Sequence, residues 1–318
     1  MKNRLFYREL TLLLFAIFLV TSCSDEIDRP VFPISATISH SIAGKQVAFT
    51  ALTHSAVSWQ WNFGDGQNST EQNPVHVYSK GGYYQAILSA TDAAGGKAAD
   101  TINLALDLSA INYLTGNPNE PGYKGKTWRL ATNHTTNTDY LGNCDAGLTT
   151  AKGTPKPLPN GVFGSALGMP DVYKDEFTFY YDGTYVHNNS KSGGSSFSAL
   201  ITQIVLNGGA GITNMNGKDY GMCLAKYTPE NGAKFTLVEK EDLTVASVYG
   251  PGGKLTFKDV STLAFTGSEF VGFRDVQRKI IVNKINDTSI QLIMFMAAGQ
   301  DYYPANTHVL VLSLEVVK

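Results

Sequence analysis

The stretch Val57-Ser58-Trp59-Gln60-Trp61-Asn62-Phe63-Gly64-Asp65-Gly66 restricts what this chain can fold into more than any other segment. Val57, Trp59, Trp61 and Phe63 recur with a period of two, with Ser58, Gln60 and Asn62 between them, so the segment predicts a strand with one buried face. Gly64-Asp65-Gly66 then predicts a tight turn, because glycine admits positive φ and aspartate bonds its own backbone. Asn73-Pro74-Val75-His76-Val77-Tyr78 follows, and a second alternating strand runs from Gly82 to Asp92 and stops at Gly95-Gly96. The alternation assigns Trp59 and Trp61 to a core rather than to an exposed stacking platform. His76 and Tyr78 are read as closing the same unit.

In order and spacing these segments resemble the PKD domain, a small immunoglobulin-like β-sandwich. Its usual pattern is a tryptophan strand, Phe-Gly-Asp-Gly, Asn-Pro-x-His-x-Tyr and then a Gly-x-Tyr strand. The resemblance implies a module over residues 31–108, with a first strand near Val47–Ala51. It implies a spacer or a presenting unit and no activity, so function is sought on either side.

Upstream, Lys2, Arg4 and Arg8 precede an apolar run from Leu10 to Val20, closed by Val20-Thr21-Ser22-Cys23. A basic flank, a short apolar core and small residues before a cut predict a secretory signal over residues 1–22. The run falls short of the roughly twenty apolar residues a spanning helix needs. The small pair before cysteine resembles the bacterial lipobox, which implies that Cys23 is lipidated and becomes the mature N-terminus. A plain signal peptide with an incidental cysteine is the alternative. Acyl chains at about 0.8 kcal/mol per buried methylene would hold such a protein on a membrane. Ser24-Asp25-Glu26 resembles the surface-export signal of Bacteroidetes lipoproteins, so the implied location is the outer membrane, at the cell surface. Residues 23–30 are then a tether. Cys144 and Cys223 remain, and an oxidising compartment permits a disulfide between them without requiring one. A formal charge of −2 with no basic cluster argues against nucleic acid as a partner.

Residues 109–124 read as a linker, with Gly116, Asn117, Pro118, Asn119, Pro121 and Gly122 close together. Residues 125–318 form the second expected domain. Phe177–Val186 predicts a hairpin turning at Asp182-Gly183, with Phe177, Phe179 and Tyr181 on one face. Further strands are predicted at 234–238, 254–257, 262–265, 279–285, 289–296 and 308–316, separated by glycine-rich loops. The chain is therefore expected to be all β, with a larger β-sandwich or jelly roll after the first module. This region resembles the C-terminal domain of surface glycan-binding lipoproteins of Bacteroidetes. The resemblance rests on the opening Gly125-Lys126-Thr127-Trp128, on Asp175-Glu176-Phe177-Thr178-Phe179 followed by Asp182-Gly183-Thr184, and on Phe270-Val271-Gly272-Phe273 before Lys279-Ile280-Ile281-Val282. Related chains often carry Trp-Trp before the hairpin, where this one has Gly161-Val162-Phe163-Gly164. The implied role is capture of an oligo- or polysaccharide for uptake, with an outer-membrane glycan transporter complex as a partner.

A jelly roll at such a surface can also be a glycosidase or lyase, which needs two carboxyl groups across one cleft. Asp175 and Glu176 are adjacent and point to opposite faces. Glu239 and Glu241 share a face, but Glu239-Lys240-Glu241-Asp242 reads as a solvated turn. His134, His187 and His308 stand singly, without zinc spacing. Ser165 in Gly164-Ser165-Ala166-Leu167-Gly168 is misplaced for a nucleophile elbow. No enzyme and no cofactor are expected, and a structural calcium at Asp139, Asp219 or Asp287 is left open. A sugar site needs exposed rings beside amides and carboxylates. The candidates are Asn133, His134, Asp139 and Tyr140; Asp219 and Tyr220; Tyr249; and Asp301, Tyr302 and Tyr303. Trp128 is read as core. A surface adhesion protein is the remaining alternative, and would show an exposed apolar patch without a polar-aromatic cleft.

Overall fold

The computed structural model describes residues 32–318. The expected signal peptide and the whole tether, Cys23 included, lie outside the described residues.

The first module has strands β1 (Ser35–Ala43), β2 (Gln46–His54), β3 (Ala56–Asn62), β4 (Asn68–Ser69), β5 (Val75–Val77), β6 (Gly82–Asp92) and β7 (Lys97–Leu106). They form two antiparallel sheets, β1-β2-β5 and β4-β3-β6-β7. One core lies between the sheets, joining Val47 and Phe49 to Trp61, Phe63, Leu88 and Leu104. This is the immunoglobulin-like sandwich that the resemblance implies. Trp61 and Phe63 are buried, but Trp59 is half-buried and Val57 is exposed. The β3–β6 register slips between Ala56 and Ser58, and that irregularity turns the strand's first residues outward. Gly64 is required where it stands: at φ +82°, a Cβ there would meet the Gln85 carbonyl at 2.5 Å.

His76 and Tyr78 close this module as expected. His76 Nε2 lies 2.8 Å from Asp65 Oδ2, and its ring stacks on Phe63 at 4.1 Å. The Tyr78 hydroxyl donates to the Phe63 carbonyl at 3.0 Å.

The second region has its own core. Its strands are β8 (Lys126–Leu130), β9 (Tyr140–Asn143), β10 (Lys156–Pro157), β11 (Glu176–Phe179), β12 (Tyr185–Asn188), β13 (Ser195–Ala199), β14 (Ile212–Asn214), β15 (Met222–Lys226), β16 (Phe235–Ala246), β17 (Lys254–Phe265), β18 (Ile280–Ile285), β19 (Ser289–Met296) and β20 (His308–Val316). The large sheet runs β12-β11-β8-β20-β19-β18-β17-β16, with β9 and β10 attached beside β20. Its two edges meet: Tyr185 N donates to Ala233 O at 2.9 Å and Phe235 N to Gly183 O at 3.0 Å. Curling the sheet onto itself leaves little free edge. Its inner face carries Trp128, Leu130, Phe179, Leu292, Met294, Leu310 and Leu312. The small sheet β13-β15-β14 adds Phe197, Ala199, Met222 and Leu224 to the same core, so sheet packs on sheet.

A second apolar cluster covers the opposite face. The β16–β17 register is irregular between Val238 and Leu243. Beyond that break, Leu243 and Val245 pack on Ile281, Ile293, Phe295, Val309 and Val311. The run Glu239–Asp242, read as a turn between strands, is therefore the irregular middle of one long strand.

The hairpin also differs from expectation. In the Phe177–Val186 hairpin Tyr180 N donates to Thr184 O, so the loop is three residues long and Tyr181 is exposed within it. Gly183 takes the left-handed position of that loop, at φ +82°. Cys144 and Cys223 are both free, and they are buried in different clusters, so the disulfide left open above is absent.

The linker segment is only partly free. Residues Ala110–Thr115 form a short helix whose Leu114 is buried in the second core. Trp128 Nε1 and Lys126 Nζ donate to the carbonyls of Leu114 and Tyr113, each at 2.9 Å. Proline and glycine set the composition of residues 116–122, but the apolar residues just before them decide where the segment docks.

Candidate functional site

The candidates separate by burial. His134 and Asp139 lie inside the protein and bond to each other, with His134 Nδ1 2.8 Å from Asp139 Oδ2. Asp139 Oδ1 also accepts from Ser313 Oγ at 2.7 Å and Gln291 Nε2 at 3.2 Å, and Oδ2 accepts from Ser313 N at 3.0 Å. His134 Nε2 lies 2.8 Å from the Tyr173 hydroxyl. A carboxylate at Nδ1 requires a donor there, which in the neutral ring leaves Nε2 to accept from tyrosine. Every polar atom of this network is turned inward, so neither residue can meet a sugar or hold calcium. Tyr140 is also corrected: its ring is half-buried against the outer apolar cluster, and burial raises its hydroxyl pKa.

A second buried histidine was not a candidate. His187 Nε2 lies 3.1 Å from Asp175 Oδ2, and its Nδ1 lies 3.4 Å from Glu269 Oε2. Ser192 Oγ donates to Asp175 Oδ1 at 2.6 Å, and the rings of Phe177, Tyr227 and Phe270 surround the imidazole. Burial alone would lower the His187 pKa, but its bond to Asp175 and the nearby Glu269 carboxylate outweigh that and raise it. Two carboxylates thus flank one imidazole with all three groups buried.

Three exposed candidates, Tyr249, Asp301 and Tyr302, gather at one end of the large sheet. Tyr249 and Tyr302 are 48% and 62% exposed, enough to offer a ring face to a ligand. They line a shallow cleft with Val248, Ala298, Gly299, Thr307 and His308. Tyr249 sits at the tip of the β16–β17 hairpin. Gly250 beside it must be glycine, because a Cβ there would fall 1.8 Å from the Lys254 carbonyl. That tip is tied to the β19–β20 loop: Asn306 N and Nδ2 both donate to Ala246 O, and Val248 N donates to Asn306 O at 3.2 Å. Tyr302 lies over Gly299, whose Cβ would come within 2.9 Å of the Tyr302 ring. Two separate loops therefore hold two rings beside one cleft.

His308 supplies the polar side, with its Nδ1 2.8 Å from Thr307 Oγ1, a buried hydroxyl that also accepts from Ala298 N at 3.0 Å. Burial lowers the His308 pKa, which keeps its imidazole neutral near pH 7 and able to donate and accept. Asp301 is exposed beside the cleft, whereas Tyr303 is half-buried. Burial raises the Tyr303 pKa, nearby Asp275 adds to that, and a bond with Thr202 opposes it.

Asp219 and Tyr220 are exposed on the neighbouring loop, where Asp219 pairs with Lys218 Nζ at 2.7 Å. The loops meet at Gly221, where a Cβ would fall 2.9 Å from Ala298 Cβ. Asn133 is exposed ahead of the helix His134–Asn137 and lines none of these clefts. Sequence reasoning missed His308 because a lone histidine in an apolar strand carries no spacing signal. Among the described residues no group of three His, Cys, Asp or Glu side chains is arranged to hold a metal ion.

Comparison with known proteins bears on the first module. Residues 28–106 match the family model of the PKD domain. Collagenase ColA of Bacillus cereus is 36% identical over 63 residues, and a microbial collagenase of Vibrio alginolyticus is 40% identical over 65 residues. Each match covers 20% of this chain and only 7% of the collagenase. The PKD1 domain of the Vibrio cholerae metalloprotease PrtV covers 24% of this chain and 100% of its own, at 28% identity and a TM-score of 0.24. A solved structure of carbohydrate-binding modules from the β-sandwich superfamily spans 90% of this chain and 93% of its own, at 12% identity and a TM-score of 0.26. A likeness that slight carries no argument about the second region. What the comparisons establish is a PKD domain at the head of a chain whose larger β region stands on its own geometry.

Proposed function

We propose that this chain is a non-catalytic carbohydrate-binding protein of the cell surface, held on the outer membrane by a lipid at Cys23. In this reading the PKD domain is a spacer, and the second region binds an oligo- or polysaccharide and offers it to an uptake complex. The observation that carries the proposal is the pair of exposed rings, Tyr249 and Tyr302, beside one cleft with a neutral His308. Apolar pyranose faces stack on such rings, while hydroxyls pair with imidazole groups. The test is a glycan array followed by calorimetry with the best oligosaccharide. Tyr249→Ala and Tyr302→Ala should each weaken binding several-fold, since one aromatic contact is worth about 1 kcal/mol, and leave folding unchanged. Binding that survives both substitutions would place the site elsewhere.

One observation favours adhesion as a second reading. Leu52, Val75 and Val77 are each 55–60% exposed on the outer face of β1-β2-β5. Retention of the isolated PKD domain, and not of its Val75→Lys variant, on a protein-coated surface would support it.

A further inference from the structure

A different cleft, of about 230 Å³, lies between β9, β10, the helix Val162–Ser165 and the loop carrying Tyr220. Its walls include Leu141, Val162, Phe163 and Leu167, and its two polar side chains are Lys156 and Tyr220. The cleft is built to stay open. Phe163 is held by its backbone N–H, which donates to the Tyr173 hydroxyl at 3.3 Å, and by the Phe197 ring at 4.9 Å. Pro157 and Pro159 stiffen the opposite wall. Empty apolar walls forfeit dispersion contacts, so an apolar occupant gains from filling them. A pyranose would leave ring hydroxyls unpaired against them, which disfavours sugar here.

Size and charge narrow the occupant. An apolar cavity of about 150 Å³ takes a benzene ring, so this cleft admits one substituted ring or a short chain. Lys156 is exposed, its Nζ lies 5.3 Å from the Tyr220 ring, and among the described residues it has no carboxylate partner. We propose that this cleft binds a small amphipathic carboxylate, with its apolar body between Leu141, Phe163 and Leu167 and its charge at Lys156. The site is separate from the Tyr249–Tyr302 cleft and does not depend on it.

Calorimetric titration of the intact chain with decanoate and with decanol tests the assignment. Saturable one-to-one binding of both is expected. Ala166 is exposed and lines the cleft, so Ala166→Trp should fill the space and abolish binding, with circular dichroism and melting unchanged. Lys156→Met should weaken decanoate roughly two- to five-fold, the worth of one exposed charge pair, and leave decanol unaffected. The Lys156→Met contrast decides the matter even if Ala166→Trp unfolds. The proposal fails if neither compound binds, if a folded Ala166→Trp binds as before, or if Lys156→Met shifts both compounds alike. Loss of decanoate binding in Tyr249→Ala or Tyr302→Ala would also overturn it, by showing that the two clefts are one site.

Discussion

The two regions differ in how far along the chain their buried polar contacts reach: no more than 62 residues in the PKD domain, and up to 174 in the second region beside short pairs such as His134 with Asp139. In the PKD domain His76 meets Asp65 eleven residues away, and Tyr78 reaches Phe63 fifteen away. In the second region Asp139 is held by Ser313 and Gln291, 174 and 152 residues away, and Ser247 Oγ reaches the Cys144 carbonyl across 103. Local contacts reward folding after a short loop has closed. Distant ones require most of the sheet to be in place first. The PKD domain should therefore tolerate the loss of one polar pair as a local defect, whereas the second region should lose its whole packing together.

The largest expected effect tests that contrast directly. Asp139→Ala leaves His134, Ser313 and Gln291 buried without their shared acceptor and should cost about 3–5 kcal/mol, the range for breaking a buried pair. Asp65→Ala removes bonds from His76 and Gln67 N and should cost about 1.5–3 kcal/mol. Urea unfolding followed by amide exchange resolves the two regions. The comparison breaks if Asp65→Ala lowers the second transition as much as the first.

The same contrast explains what was legible in the sequence. The PKD pattern could be read because its alternating strands, its Gly-Asp-Gly turn and the residues that seal it are neighbours in the chain. The all-β character of the second region was legible from strand patterns, but its site was not. Whether Tyr140 or Tyr249 faces solvent depends on which strand lies opposite, and no local pattern encodes that. His134 and Asp139 looked like loop residues beside asparagine and threonine. They became core because β20, far along the chain, brings Ser313 against them. The boundary is hard to read for a similar reason: the composition of residues 116–122 is that of a linker, while Leu114 just before it belongs to a distant core.

Leu114 sharpens the comparison at that boundary. Leu114→Ala should cost about 2–4 kcal/mol as a buried large-to-small change, and it should lower only the second transition. A fragment beginning at Ser109 should likewise be more stable than one beginning at Gly125, which lacks the docked helix. Equal stability of the two fragments would mean that the helix is carried without contributing.

The smallest expected effect is a difference in pH response. Burial pushes the Asp275 carboxyl up to about 6, although Thr202 and the backbone N–H groups of Ala297 and Val276 bond to it. His187 is also raised, its two flanking carboxylates outweighing burial. Both folded values exceed the unfolded ones, so both groups contribute stability at low pH that is lost as pH rises. For Asp275 the loss runs from its ordinary 3.8 up through about 6. For His187 it begins near 6.5 and continues above. The second transition should therefore weaken between pH 5 and pH 7.5, by on the order of 1 kcal/mol from Asp275 alone. In the PKD domain burial raises the Tyr78 hydroxyl, away from this window, so its transition should change less. Asp275→Asn should flatten the acid side of the second region's profile, and His187→Gln the side above pH 6.5. A slope that survives both substitutions would assign the pH response to other groups and remove this difference between the two regions.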